Sequence, residues 1–407
     1  MIHRRRTRSL NEFKETTMSS PETLSTPPGN PVVTSDPDSP PGGPQPGTAL
    51  CLSGGGYRAM LFPVGALWRL NEAGMLSRLQ HVSSVSGGSI TAGVLAMNWG
   101  KLDFDPGRGV SQQFQEQLVA PVRQLAGQTL DEGSVIGGLL SPFSSIGDKV
   151  ADAYRKHLFG EATLQDLPDA PRFVINATNV QSGALWRFLK PYMRDYRVGE
   201  VRNPKISLAV AVAASSAFPS VLSPARLKLD PADFTPNTGL DLQSEPYTSH
   251  VVLTDGGVYD NLGLETAWKR YQTILVSDGG AKMAAEPEPK ADWVHHSIRF
   301  LDVIDNQVRS LRKRQLIDSY VANLRQGAYW GIRTLIADYQ LADPLNCPPD
   351  KTAELAGVPT RLKRLEPEVQ ERLINWGYAV CDAALRKHVR PELPRPADFP
   401  YPAVGVG

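Results

Sequence analysis

The chain has little of what would place it at a glance. Cysteine is scarce: Cys51, Cys347 and Cys381 are the only three in 407 residues. They stand far apart, without the paired spacing of a metal or redox motif, and are too few for a disulfide framework, which fits a reducing compartment. Net charge is almost absent, with 43 Lys and Arg against 42 Asp and Glu. That balance gives no general attraction for nucleic acid or for an anionic membrane, so any membrane contact has to be local. Long apolar runs are missing as well. The longest, Ile206 to Phe218, stops at Pro219, well short of the ~20 residues that span a bilayer. No secretory leader is expected, because the basic start (Arg4, Arg5, Arg6, Arg8) is followed by Asn11, Glu12, Lys14 and Glu15 where an apolar run is required. Finally, none of the seven histidines (His3, His81, His157, His250, His295, His296, His388) sits in a context that marks a catalytic base.

Proline, by contrast, is concentrated at one end. Residues 1–47 carry Pro21, Pro27, Pro28, Pro31, Pro37, Pro40, Pro41, Pro44 and Pro46 among Ser, Thr and Gly, the composition of a disordered tail. From Thr48 the composition changes. Ala49-Leu50-Cys51-Leu52 predicts a buried strand, and Leu61, Val64, Leu67, Trp68 and Leu70 recur at helical spacing. Val82 to Val85 and then Ile90, Val94, Leu95 and Met97 repeat the strand-then-helix order, which predicts an α/β fold with a mostly parallel sheet and helical crossovers. Further strands are expected at Phe173–Ala177, Val251–Leu253 and Thr273–Val276, and a small-residue helix at Ile206–Ala214. Residues 229–250 read as a long loop, 296–336 as long helical sequence and 366–388 as an amphipathic helix. Gly133 to Gly147 is an apolar, glycine-interrupted loop, suited to packing or to a mobile cover. With no repeat and no internal linker, residues 48–395 are expected to form one domain, followed by a flexible C-terminus at 396–407.

Two glycine-bracketed turns fall on the first two strand-to-helix junctions. Gly54-Gly55-Gly56-Tyr57-Arg58 lacks the Lys-Ser/Thr ending of a nucleotide P-loop, and its third glycine comes too early for a dinucleotide fingerprint. An anion hole is its functional reading and a permissive turn the plain one; Arg58 could hold the loop or attract a phosphate group. Ser84-Val85-Ser86-Gly87-Gly88 puts Ser86 at a sharp bend beside a helix N-terminus, where a nucleophile gains exposure and a favourable dipole. Alone, a serine among small residues is more often a turn or packing residue. Asp255 and Asp278 both end strands and both precede Gly-Gly, so either carboxylate could enter a cleft or simply cap a turn. A four-cation helix segment, Arg309, Arg312, Lys313 and Arg314, reads either as a headgroup contact or, more commonly, as a solvated face.

Taken in order, Gly54-Gly55-Gly56-Tyr57-Arg58-Ala59, Ser84-Val85-Ser86-Gly87-Gly88 and Asp255-Gly256-Gly257-Val258-Tyr259-Asp260-Asn261-Leu262-Gly263 closely resemble the patatin-like phospholipase family. The resemblance covers about residues 48–280. It implies a three-layer α/β/α patatin-like fold and a cytoplasmic lipid acyl hydrolase, transiently at the inner membrane surface. Its substrate would be a phospholipid or other lipid ester, with no nucleic acid partner, no cofactor and no metal. Ser86 would be the nucleophile, Asp255 the general base, the N–H groups of Gly54, Gly55 and Gly56 the oxyanion hole, and Arg58 a substrate-binding group. Asp278 ranks below Asp255 because only the earlier segment continues in the family's pattern. Two residues depart from it: Ser84 stands where the nucleophile motif has glycine, and Ala59 replaces the glycine after Arg58. Two other readings remain open, a small-ester hydrolase with a Ser/His/Asp triad drawing on His250, His295 or His296, and an inactive lipid-binding or scaffold protein.

Overall fold

The computed structural model describes residues 43–130, 146–219 and 222–407. The proline-rich stretch up to residue 42 and the apolar loop at 131–145 lie outside the described residues. Among the described residues the first element is β1 (Gln45–Leu52), which begins three residues ahead of the change in composition. It is followed by α1 (Gly56–Glu72), β2 (His81–Val85) and α2 (Gly87–Met97), then by α3 (Ala120–Ala126), α4 (Ile146–Tyr154) and β3 (Arg172–Asn179). A run of short strands comes next: β4 (Ala184–Phe188), β5 (Tyr192–Asp195) and β6 (Gly199–Arg202). After α5 (Leu208–Ser215) come β7 (Ala225–Lys228), β8 (Phe234–Thr235) and β9 (His250–Asp255). The chain closes with α6 (Gly257–Asp260), α7 (Glu265–Trp268), β10 (Tyr271–Asp278), α8 (Trp293–Val321), β11 (Gln326–Gly331), α9 (Pro349–Ala356) and α10 (Pro367–His388).

The expected α/β class holds. Five strands in the order β11-β10-β1-β2-β3 form a parallel core. The period-two alternation of β1 sorts its side chains to two sides: Leu50 and Leu52 enter the large core, while Ala49 and Cys51 enter a smaller one with Leu262, Ala267, Ile274 and Leu316. Sheet strands buried on both faces therefore carry helices on both sides. On the large-core side α1 is buried from Gly56 to Asn71 and packs against α10. The two helices are tied by a buried ion pair, Arg69 Nε to Asp382 Oδ1 at 2.8 Å.

Beyond β3 the sheet turns antiparallel. β3-β4-β5-β6-β8 form a meander, and β9 pairs with both β3 and β7. None of β4, β5 and β6 is visible as an apolar run, because buried charged residues such as Arg194, paired to Glu200 at 3.6 Å, interrupt the alternation. The helical reading of 296–336 is also corrected. The helix ends at Val321, Asn323 takes a left-handed φ of 55°, and residues 326–331 become the edge strand β11. The C-terminus at 396–407 is not the free tail its composition suggests. Asn375 on α10 donates to the carbonyls of Tyr401 and Gly405 at 2.8 and 2.7 Å and accepts from the Tyr401 N–H, and Val406 is buried.

Candidate active site

Strand β3 is where the site is assembled. Val85, the last residue of β2, pairs in parallel with Asn176, and Asp255, the last residue of β9, pairs antiparallel with Ala177. Two strands that arrive from opposite directions thus end at adjacent positions of one neighbour. Both chains must turn away there, and the turns carry Ser86 and Asp255.

Ser86 has φ 51° and ψ −122° and precedes α2 directly. For a residue with a side chain this conformation costs on the order of 1–3 kcal/mol, and it is the sharp turn that lifts a hydroxyl above a sheet. The bend is made possible by its neighbour. A Cβ on Gly87 would stand 2.1 Å from the Gly56 carbonyl oxygen, so the N-terminal ends of α1 and α2 meet backbone to backbone. Both helix dipoles point their positive ends into this corner.

Ser84, the residue that departs from the family pattern, does not lie at the bend. It sits inside β2 in register with Leu52 and Ile175. Its hydroxyl donates to the Val174 carbonyl at 3.2 Å and accepts from Ser89 at 3.0 Å. Ser89 in turn shares a 2.9 Å hydrogen bond with Ser215, whose oxygen accepts the Ser86 N–H at 3.0 Å. Ser215 also receives the Gly256 N–H on its carbonyl at 3.1 Å. One residue at the end of α5 therefore grips both turns. No local sequence signal marks Ser215 or Ser89; only the approach of α5 to the two turns gives them a role.

Asp255 is buried. Its Oδ1 accepts the Gly257 N–H at 2.7 Å, and its backbone is fixed by Thr178 Oγ1 to its carbonyl at 2.8 Å and by its own N–H to Ala217. Oδ2 is buried and takes no hydrogen bond within normal geometry. Burial lifts the carboxyl to about 6, against the pull of the Gly257 N–H and of the nearby Ser86 hydroxyl, with the Asp305 charge adding to the rise. The Asp255 carboxyl and the Ser86 hydroxyl thus meet where the two turns come together.

Asp278 is a different kind of carboxylate. Burial would raise it, but Arg309 and Lys313, each at 3.6 Å, together with the Tyr329 hydroxyl at 2.7 Å and the Gly280 N–H, hold it below its usual value. It is a fully engaged anchor for α8. Arg312 of the same cationic run is engaged as well, reaching Asp260 at 3.6 Å and Glu265 at 2.8 Å.

The glycine loop divides by residue. The Gly54 N–H is already committed to the Asn261 carbonyl at 3.0 Å, so it does not point at the site. Gly55 and Gly56 take φ values of 144° and 60°, which only glycine adopts without strain. Among the described residues no acceptor takes either N–H. Arg58 is not at the surface of the site. It is 1% exposed, and its guanidinium donates to the carbonyls of Gly279 (2.9 Å) and Val358 and to Thr360 Oγ1 (3.0 Å). It clamps the start of α1 to the 279 and 358–360 segments. Among the described histidines, His250 stands at the far end of β9, five residues or roughly 16 Å from Asp255, and His295 bonds Asp292 at the start of α8.

A strained serine turn and a buried carboxylate meet at the strand ends of a sheet with a parallel core, in a protein of the α/β class. The family model for patatin-like phospholipases matches residues 50–268, more than half of the chain, and the chain belongs to that family. Among solved structures it is similar to human GIVD cytosolic phospholipase A2 in complex with methyl gamma-linolenyl fluorophosphonate, at 15% identity over 83% of this chain and 57% of that one, with a TM-score of 0.45. Another structure of human GIVD cytosolic phospholipase A2 matches at 15% identity over 58% of this chain and 46% of that one, TM-score 0.37. VipD from Legionella pneumophila matches at 18% identity over 86% and 68%, TM-score 0.34. The chain spans about half the length of the cytosolic phospholipase structures. No curated protein matches it.

Proposed function

We propose that this protein hydrolyses carboxylic esters of membrane lipids as a phospholipase A-type lipid acyl hydrolase, using Ser86 and Asp255 as a dyad. The observation that carries the reading is the meeting of the buried Asp255 carboxyl with the Ser86 hydroxyl, on a carboxyl lifted to about 6. Near neutral pH such a group is ionised yet a stronger base than an ordinary carboxylate.

In the first half-reaction Asp255 takes the Ser86 proton as Oγ bonds to the ester carbonyl carbon. The resulting oxyanion lies against the N–H groups of Gly55 and Gly56 and the positive ends of α1 and α2. Collapse breaks the bond to the alcohol, which leaves with the proton from Asp255, and Ser86 keeps the acyl group. Asp255 then deprotonates a water that attacks the acyl-enzyme, and the proton returns to Ser86 as the fatty acid departs. The catalytic unit runs from β1 to α10. Three free cysteines agree with a cytoplasmic site of action and passing contact with the inner membrane surface.

The test is release of free fatty acid from phospholipid vesicles by the wild type and by Ser86→Ala. Release by the wild type alone, with fluorophosphonate labelling of Ser86, supports the proposal. Equal release by both would overturn it, and loss of turnover in His250→Ala, His295→Ala or His296→Ala would replace the dyad with a triad.

A further inference from the structure

Helix α8 changes character halfway along its length. Its C-terminal half is bound to the body of the protein by Arg309, Arg312 and Lys313 and by the buried Leu316. Its N-terminal half is apolar and turned outward: Trp293 is 80% exposed, Phe300 55%, and Leu301 and Ile304 59% each. At about 100° per residue these four side chains fall within an arc of roughly 100°. The opposite side holds Arg299, which donates to the Ala284 carbonyl at 2.8 Å and pairs with Glu286 at 3.6 Å. Arg299 is thus fastened to the 284–286 segment, while the four apolar side chains stand outward.

Two further exposed apolar residues, Val258 and Phe218, flank the site. Helix α6, which begins two residues after Asp255, packs against α8 and exposes Val258. On another side Phe218, also exposed, follows the Ala217 carbonyl that receives the Asp255 N–H. Ser86 itself is only 8% exposed. A lipid ester held in a membrane brings its carbonyl to such a recessed hydroxyl only if this rim meets the layer. The charge around the stripe excludes an electrostatic partner: residues 282–304 contain three Lys and Arg against four Asp and Glu, with no basic excess to draw an anionic surface.

We propose that the N-terminal half of α8, together with Val258 and Phe218, is the surface by which this protein docks on an uncharged lipid layer, inserting Trp293, Phe300, Leu301 and Ile304 at the acyl boundary. The docking surface deepens the hydrolase reading above and rests on it for the identity of the layer. Interfacial helices bind through buried apolar area, so attachment depends on these side chains and not on salt.

The test uses full-length Ser86→Ala protein, which leaves lipid intact, and vesicles of phosphatidylcholine alone or mixed with phosphatidylglycerol. The expected result is co-sedimentation with phosphatidylcholine vesicles that survives high salt and weakens at least about tenfold when Leu301→Asp and Ile304→Asp are added together. Both positions are exposed, so the fold does not depend on them. With Ser86 restored, the same double variant is expected to lose about tenfold in fatty-acid release from vesicles and to keep the turnover of a soluble short-chain nitrophenyl ester. Unchanged vesicle binding by the double variant would overturn the proposal. So would binding that requires phosphatidylglycerol and is released by salt, or a wild-type dimer that the double variant dissolves, since a second copy would then be the occupant. Salt-resistant vesicle binding through α8 by a protein that cleaves neither ester would sink the hydrolase reading and leave the docking surface standing.

Discussion

Asp255 stands opposite Ala177 on β3, one residue beyond the last position that this strand shares with β2. The Ser86 and Asp255 turns are therefore neighbours through a single strand, and Ser215 bridges them with its Oγ on the Ser86 N–H and its carbonyl on the Gly256 N–H. Replacing Ser215 by alanine strands a buried N–H at a cost of about 1–3 kcal/mol and frees the serine turn. Turnover number is expected to fall roughly 10- to 100-fold with little change in KM. Steady-state kinetics on Ser215→Ala and Ser215→Thr check this: the threonine variant keeps the acceptor and should recover most of the loss.

The Asp255 carboxyl is raised by burial to about 6. Activity should therefore climb with pH through an apparent pKa near 6 and level off above it. Stability runs the other way. The native state holds its proton more tightly than the unfolded chain, so folding stability falls as pH rises from about 4 to about 6, and the whole cost is present above that. Asp255→Asn should abolish turnover and, at pH 8, stabilise the fold by up to about 3 kcal/mol. That gain should vanish near pH 4. Thermal unfolding of both proteins at the two pH values decides the matter.

Arg58 is a buried clamp with three separate acceptors on the 279 and 358–360 segments. Arg58→Met leaves those acceptors without their donor and should destabilise the protein by about 3–5 kcal/mol. Arg58→Lys keeps the charge but cannot span three acceptors. It should fold, with turnover reduced on the order of 100-fold through a loosened Gly55-Gly56 loop. If Arg58→Lys instead raised KM alone, Arg58 would be a substrate contact after all.

Ser84→Gly would restore the residue of the family pattern, yet it is expected to do harm. It removes the donor to Val174 and the acceptor for Ser89 and adds backbone freedom in a strand, a loss of about 1–2 kcal/mol. Activity should stay equal or fall. Denaturant titration beside a fatty-acid assay would expose the opposite outcome, a gain in either quantity.

Much of this was legible in the residues themselves. Apolar runs at Ala49–Leu52, Val82–Val85 and Thr273–Val276 specify strands of the parallel core because residues buried on both faces admit little else. Ser86, Asp255 and Asp278 stood out because glycines at strand ends mark turns, and the family resemblance ranked Asp255 above Asp278. The antiparallel wing did not stand out, since its strands are four or five residues long and carry Arg187, Arg194 and Glu200 among their inward positions. A helical period running past Val321 likewise gave no warning of β11, whose strand state comes from pairing with β10.

What the sequence by itself determined is local: which segments are strands or helices where periodicity is strong, and which residues occupy turns. Tertiary structure alone decided what those residues do. It tied Gly54 to Asn261 and Arg58 to Gly279, gave Asp278 to Arg309 and Lys313, and brought the buried Asp255 carboxyl to the Ser86 hydroxyl. The reason is physical. A donor, an acceptor or a buried charge acquires its chemistry from what stands within about 3–4 Å of it, and at this site those neighbours come from segments up to 300 residues away in the chain.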